Sequence, residues 1–237
     1  MVQTSVSHSR SGHGRWFFIL SVVVTLALYL IPFGRTFAYP FLMLSTFAHE
    51  MGHGLTALAV GANFKAFYMW GDGSGVAYIN GYGTRVNQAI IAAGGLMGPA
   101  LLAAVAFLTA KKESVARFSL TVLGSLLIVS EFLFVRNMFG WIFVGVVAAF
   151  FLWLGQQSRG WLAQGTLVFV GLQLALSVFS RSDYLFTATA RTDQGLMPSD
   201  VAQIADALFL PYWFWGGICG LLSVLILFSG LKSYIKS

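Results

Sequence analysis

Phe41-Leu-Met-Leu-Ser-Thr-Phe-Ala-His49-Glu50-Met-Gly-His53-Gly-Leu-Thr-Ala-Leu-Ala-Val60 is an apolar stretch long enough to cross a bilayer, with three ionisable side chains near its centre. A span needs about 20 apolar residues, and a charge at bilayer depth costs roughly 2.5–3.5 kcal/mol even on the lenient scale. Such residues are therefore expected to face a polar interior and to do work there. His49 and His53 are four residues apart, so on a helix they share one face, one turn apart. Two imidazoles so placed can bind one zinc ion. Glu50, next to the first of them, is placed to act as general base toward a water on the metal and to hand the proton to a leaving amine. In a soluble helix the same five residues could simply face water; inside an apolar span they cannot.

The rest of the chain agrees with a membrane setting. Of 237 residues, 57% are hydrophobic and 9% charged, against roughly a quarter charged in a soluble domain. Residues 1–15 read as a polar tail, and 16–237 as a single membrane-embedded domain. Apolar runs at 16–34, 41–60, 88–109, 116–135, 139–155, 160–179 and 208–231 predict an all-α polytopic bundle of seven spans, or six if 139–155 does not cross. The first run is long for a signal-peptide core and has a poor cleavage site after it, so it reads as an uncleaved span. Residues 62–87 lack a helical period. Turn signals at Gly71–Gly75 and Asn80–Gly83 flank Val76–Ile79, which reads as a strand, and predict a small β-hairpin after the second helix, dipping into the membrane boundary. Residues 181–206 form the other polar stretch, with Asp183, Asp193, Asp200 and Asp206.

The formal charge of +6 is no nucleic-acid footprint, because the basic residues lie in tails and loops, as membrane proteins keep them. With seven spans and the N-terminus inside, Arg10, Arg15, Lys65, Arg85, Arg136, Arg181 and Arg191 fall inside, and Arg35, Lys111, Lys112, Arg117, Arg159, Lys232 and Lys236 outside. That is seven against seven, so charge does not set the orientation. The single cysteine, Cys219, excludes an intrachain disulfide and a Cys-rich metal site. The other histidines, His8 and His13, are in the tail. This supply is too small for a histidine-box di-iron site, and an i,i+4 pair cannot clamp both faces of a haem.

Zinc in a catalytic site takes a third protein ligand and leaves the fourth position open. A carboxylate is expected here. Asp183 follows the sixth span, Asp200 precedes the last one, and Glu131 lies inside the fourth. Each has an ordinary alternative: an ion pair with Arg181 or a cap for Asp183, helix capping by Ser199 and Asp200, and for Glu131 a pair with Arg136 near the membrane edge or a protonated acid facing the bundle. Spacing does not choose among them.

Four segments together resemble the site-2 protease superfamily of membrane-embedded zinc metallopeptidases, in its short B-type-like branch: FAHEMGHGLTALAVGANF (47–64), GDGSGVAYINGYG (71–83), AAGGLMGPALLAA (92–104) with Gly98-Pro99, and SDVAQIADALFLPYWFW (199–215). The Asn…Leu-Asp-Gly motif of better-studied members is absent; Arg136-Asn137-Met138 has the Asn with no Asp after it. The resemblance implies zinc on His49, His53 and, by the branch's Ser-Asp segment, Asp200, with Asp183 as rival and Glu131 third. It implies Glu50 as the catalytic residue and Asn137 as a group that could meet substrate. It also implies a second helix running toward the cytoplasm. The expected activity is hydrolysis of a membrane protein or peptide within or beside the lipid bilayer, in a bacterial inner membrane. The strand at 76–79 could serve as a template for an extended substrate or be a plain hairpin. The alternative is a proteolytically inactive membrane protein with a structural or regulatory zinc site. Oligomeric state leaves no signal in the sequence.

Overall fold

Long apolar runs cannot leave backbone groups unpaired in lipid, and helices satisfy them internally. The computed structural model describes residues 10–180, 185–192 and 195–236. In chain order it has α1 (Arg10–Leu30), α2 (Gly34–Ala59), β1 (Asn63–Met69), β2 (Gly75–Asn80), α3 (Arg85–Thr109), α4 (Glu113–Phe134), α5 (Met138–Gln156), α6 (Gly160–Ser180), β3 (Thr189–Thr192), β4 (Gly195–Pro198), α7 (Asp200–Leu208) and α8 (Tyr212–Ile235). The apolar segments of α3, α4, α5, α6 and α8 are long and apolar enough to cross a membrane. Helix α2 is longer than any of them, but His49, Glu50 and His53 lower its hydropathy. In α1 the apolar part is the shorter Trp16–Leu28.

Element boundaries shift from the sequence reading in three places. Helix α1 starts at Arg10, inside the stretch read as tail. Helix α2 starts at Gly34 rather than at residue 41, with Pro40 inside it; one ladder bond is lost there, because proline lacks an N–H. The polar stretch before the last span holds structure of its own: a second hairpin, β3–β4, and the nine-residue helix α7. Asp183 and Asp193 lie outside the described residues.

Helix α3 is the centre of the bundle. Its small residues Ala92, Ala100, Ala103 and Ala106 are buried against α2, α6, α7 and α8, which is how helices approach closely where no water drives them together. A Cβ on Gly98 would stand 2.2 Å from the carbonyl oxygen of Ala48. Polar pairs tie α6 to its neighbours: Gln173 donates to Thr25 on α1 and Ser45 on α2 to Ser177, each at 2.7 Å.

The first hairpin turns back along α2. Thr46 donates to the carbonyl of Gly73 at 2.7 Å and Tyr39 to that of Gly71 at 2.8 Å, while Phe64 lies against Gly54 and Phe67 against Phe47. The hairpin is therefore re-entrant, its tip beside the first half of α2. Strands β1 and β2 pair antiparallel with a register irregularity between Phe64 and Ala66. The far edge of β1 is covered by the α4–α5 turn: Val135 bridges Phe67, and Arg136 N donates to Phe67 O at 3.2 Å.

Candidate metal centre

The histidine pair lies on α2, His53 six and His49 ten residues before its C-terminal end, hence about 9 and 15 Å inside it at 1.5 Å per residue. His53 is fixed from behind by α3. Its Nδ1 is 2.9 Å from the carbonyl oxygen of Ile91, which can only accept, so Nδ1 carries the proton and Nε2 presents a lone pair. Gly95, one turn along α3, makes the room: a Cβ there would stand 2.2 Å from His53 Nε2.

The carboxylate opposite comes from α7. Ser199 caps that helix, accepting from Ala202 N at 3.2 Å and donating to Thr187 O at 2.6 Å, and its own N–H donates to Ala188 O. The cap belongs to Ser199. Asp200 is the first helical residue, is buried, and reaches into the bundle. Val201, Ile204 and Ala207 on the inner face of α7 pack with Ala89, Ala92 and Leu96 of α3 and with Cys219 of α8. Arg85 lies over the ring of Phe209 at 4.6 Å and ties the far end of α7 to the start of α3.

Three side chains converge. His49 Nε2 and His53 Nε2 are 3.2 Å apart, His49 Nε2 and Asp200 Oδ2 3.1 Å, and His53 Nε2 and Asp200 Oδ1 3.4 Å. Ligands at the corners of a zinc tetrahedron, with bonds of about 2.0–2.2 Å, stand roughly 3.3–3.6 Å from one another, so the separations here match or fall short by about 0.2 Å at most. Asp200 Oδ2 is buried against the His49 imidazole and is otherwise unpartnered among the described residues, the kind of buried acceptor that a bound cation would satisfy. The residues fit a divalent metal. Among the described residues these three form the one such group.

The remaining candidates have other surroundings. Glu131 is buried on α4 against α5, with its carboxylate 3.2 Å from where a Cβ of Gly145 would stand. Arg136 does not pair with it, but donates to the carbonyls of Phe132, Leu133 and Val135 at the end of α4. Asp206 is exposed on α7. Asn137 is turned to the hairpin: its amide donates to Met69 O and accepts from Met69 N, closing the edge of β1. Glu50 is buried beside β2. Sequence reasoning missed the supports: the Ile91 carbonyl, Gly95 and the hairpin glycine Gly75. The run Ala93-Gly94-Gly95-Leu96-Met97-Gly98 carried a signal, since glycines one helical turn apart mark close approach.

The Peptidase M50B-like family, compared as a sequence model, matches residues 19–230, and the chain belongs to that family. No curated protein and no solved structure matches it.

Proposed function

From that membership and this geometry, we propose that the protein is a zinc metallopeptidase of a bacterial inner membrane, cutting peptide bonds within or next to the bilayer. The observation that carries the reading is the triangle of His49, His53 and Asp200 at tetrahedral separations, with Glu50 next in chain to the first ligand. A zinc ion held there would supply Lewis acidity toward the scissile carbonyl and would acidify a water. Three protein ligands leave a fourth position open, the pattern of catalytic rather than structural zinc. Glu50 takes the proton of the attacking water and later delivers it to the departing amine. The cluster lies about 9–15 Å inside the C-terminal end of α2, the end from which water would reach it.

A transmembrane substrate helix has its amides already bonded, so it must unwind before cleavage. Because β1 is covered by Val135–Asn137, the edge left for an extended peptide is that of β2, which runs past Glu50. Strand addition there would supply backbone bonds to the unwound segment. Deletion of the hairpin tip without loss of cleavage would refute this part.

The test is metal content followed by cleavage. Detergent-purified wild type should hold about one zinc per chain. His49→Ala and Asp200→Ala should lose it, while Asp183→Ala, Glu131→Ala and Glu50→Gln keep it. On a panel of end-labelled single-span peptides, wild type should cleave and Glu50→Gln should not. Metal-free wild type, or full zinc in Asp200→Ala, overturns the ligand set. Bound zinc with no cleavage across the panel favours the inactive, structural alternative.

A further inference from the structure

The hydrogen bonds of the re-entrant hairpin assign each backbone group to one side. On β1 the carbonyl of Phe67 accepts from Arg136, and Met69 exchanges bonds with the side chain of Asn137. Phe67 and Met69 therefore direct their backbone groups toward 135–137 and away from β2. In an antiparallel ladder, directly opposite residues either bond to each other or both face outward. Phe67 is opposite Ala77 and Met69 opposite Gly75. Ala77 and Gly75 thus turn their N–H and C=O groups to the outer edge of β2.

That edge adjoins Glu50. A Cβ on Gly75 would stand 2.8 Å from Glu50 Cγ and 2.9 Å from Oε1. Thr46, one turn before Glu50 on the same face, pins Gly73 and so fixes the depth of the strand. Glu50 is 5% exposed, and a buried carboxylate needs donors from its own site. Gly75 and Ala77 share this outward edge, so the backbone N–H of Ala77 is turned to the side on which Glu50 lies.

We propose that the outward amide of Ala77 orients the Glu50 carboxylate, so that the re-entrant hairpin positions the base as well as offering an edge to substrate. The inference rests on the reading of Glu50 as base. One carboxylate oxygen is held by the strand and the other is left for the metal side. Gly75 is required at its position because any side chain would displace Glu50. An incoming extended peptide finds the Gly75 N–H and the two carbonyls on this edge, with the Ala77 amide already engaged. Ala77 is thus a positioning residue that acts through Glu50.

Proline tests this cleanly, since at an outward position of an edge strand it removes one N–H and no ladder bond. Ala77→Pro should lower kcat on the best-cleaved single-span peptide roughly ten- to a hundredfold, the usual cost of losing an outer partner. KM should stay within about twofold, as for a group that does not bind substrate directly, and zinc content should match wild type. Ala77→Val, which keeps the N–H, should resemble wild type. Independently of turnover, residue-resolved hydrogen exchange should show the Ala77 amide protected in wild type and released in Glu50→Ala, with Val76 and Tyr78 unchanged. Equal exchange of Ala77 in both proteins, or normal kcat in Ala77→Pro, overturns the proposal. A rise in KM alone would assign the amide to substrate and overturn it too. If Ala77→Pro does not fold, Gly75→Ala decides: zinc retained with kcat lost is expected, and unchanged kcat refutes. If no peptide is cleaved by wild type, the peptidase reading fails while the exchange comparison still decides the hydrogen bond.

Discussion

Gly95 and Gly98 lie on one helix, three residues apart, and should fail differently. A methyl on Gly95 meets the imidazole of His53 at 2.2 Å, a side chain that can swing away from its ligand position. Gly95→Ala should therefore fold and lose zinc affinity, by roughly ten- to a hundredfold as for other disturbed supporting groups, in a chelator competition. A methyl on Gly98 meets the carbonyl oxygen of Ala48, backbone that cannot rotate aside. Gly98→Ala should lower thermal stability in detergent, by about 1–3 kcal/mol for an overpacked contact, with the zinc affinity of the folded fraction little changed. Reversal of the two patterns would refute the assignment. At this scale the sequence was partly legible. His49, Glu50 and His53 declare themselves because they are adjacent in the chain and costly in lipid. Asp200 does not, because it reaches them through space from the far end of the chain; only the resemblance singled it out over Asp183 and Glu131.

Short elements position the site, and these are the elements a periodic reading passes over. Helix α7 has nine residues and β3 and β4 four each, too few to show a period amid polar residues. Yet α7 carries Asp200, and its start is fixed by the hydroxyl of Ser199. Ser199→Ala removes an acceptor for Ala202 N and a donor to Thr187 O; a lost cap costs about 1 kcal/mol. Zinc affinity should fall because the ligand loses its anchor, and Ser199→Thr should restore most of it. Full affinity in Ser199→Ala would show that packing of Val201 and Ile204 alone places the carboxylate. The first hairpin and its dip into the membrane boundary were foreseen from the glycine turns and aromatics, but its pairing to the α4–α5 turn was not, since that is a long-range contact. Asn137 is the closure of that sheet. Asn137→Ala strands the N–H and C=O of Met69 at membrane depth, about 1–3 kcal/mol for each unsatisfied group. Thermal unfolding should shift down accordingly, and Asn137→Asp should not rescue it, because an ionised carboxylate there would face the Met69 carbonyl and cost roughly 2.5–3.5 kcal/mol at that depth.

Across the whole molecule, the two ends of the bundle are marked by contacts that join distant segments. Arg85 lies over Phe209 at the end that holds the hairpin base and α7, and Lys111 donates to Ser233 at the other. Charge cannot say which end is cytoplasmic, because basic residues are evenly divided, but the arrangement fixes relative sides. Between Asn80 and Ser158 the chain passes through α3, α4 and α5, three crossings, so those two residues belong on opposite faces of the membrane. If α5 did not cross they would share a face, which is the six-span reading. Both are exposed. With Cys219 replaced by Ser, Asn80→Cys and Ser158→Cys can be labelled by a membrane-impermeant maleimide in intact cells and after lysis. Ser158→Cys should label in intact cells and Asn80→Cys only after lysis, if α2 runs toward the cytoplasm as the family resemblance implies. The mirror pattern would keep seven crossings and reverse the orientation, placing the metal cluster about 9–15 Å from the outer surface and its water supply outside. Labelling of both from one side would remove a crossing from α3–α5. That would be incompatible with a Lys111–Ser233 contact and an Arg85–Phe209 contact at opposite ends of the same bundle.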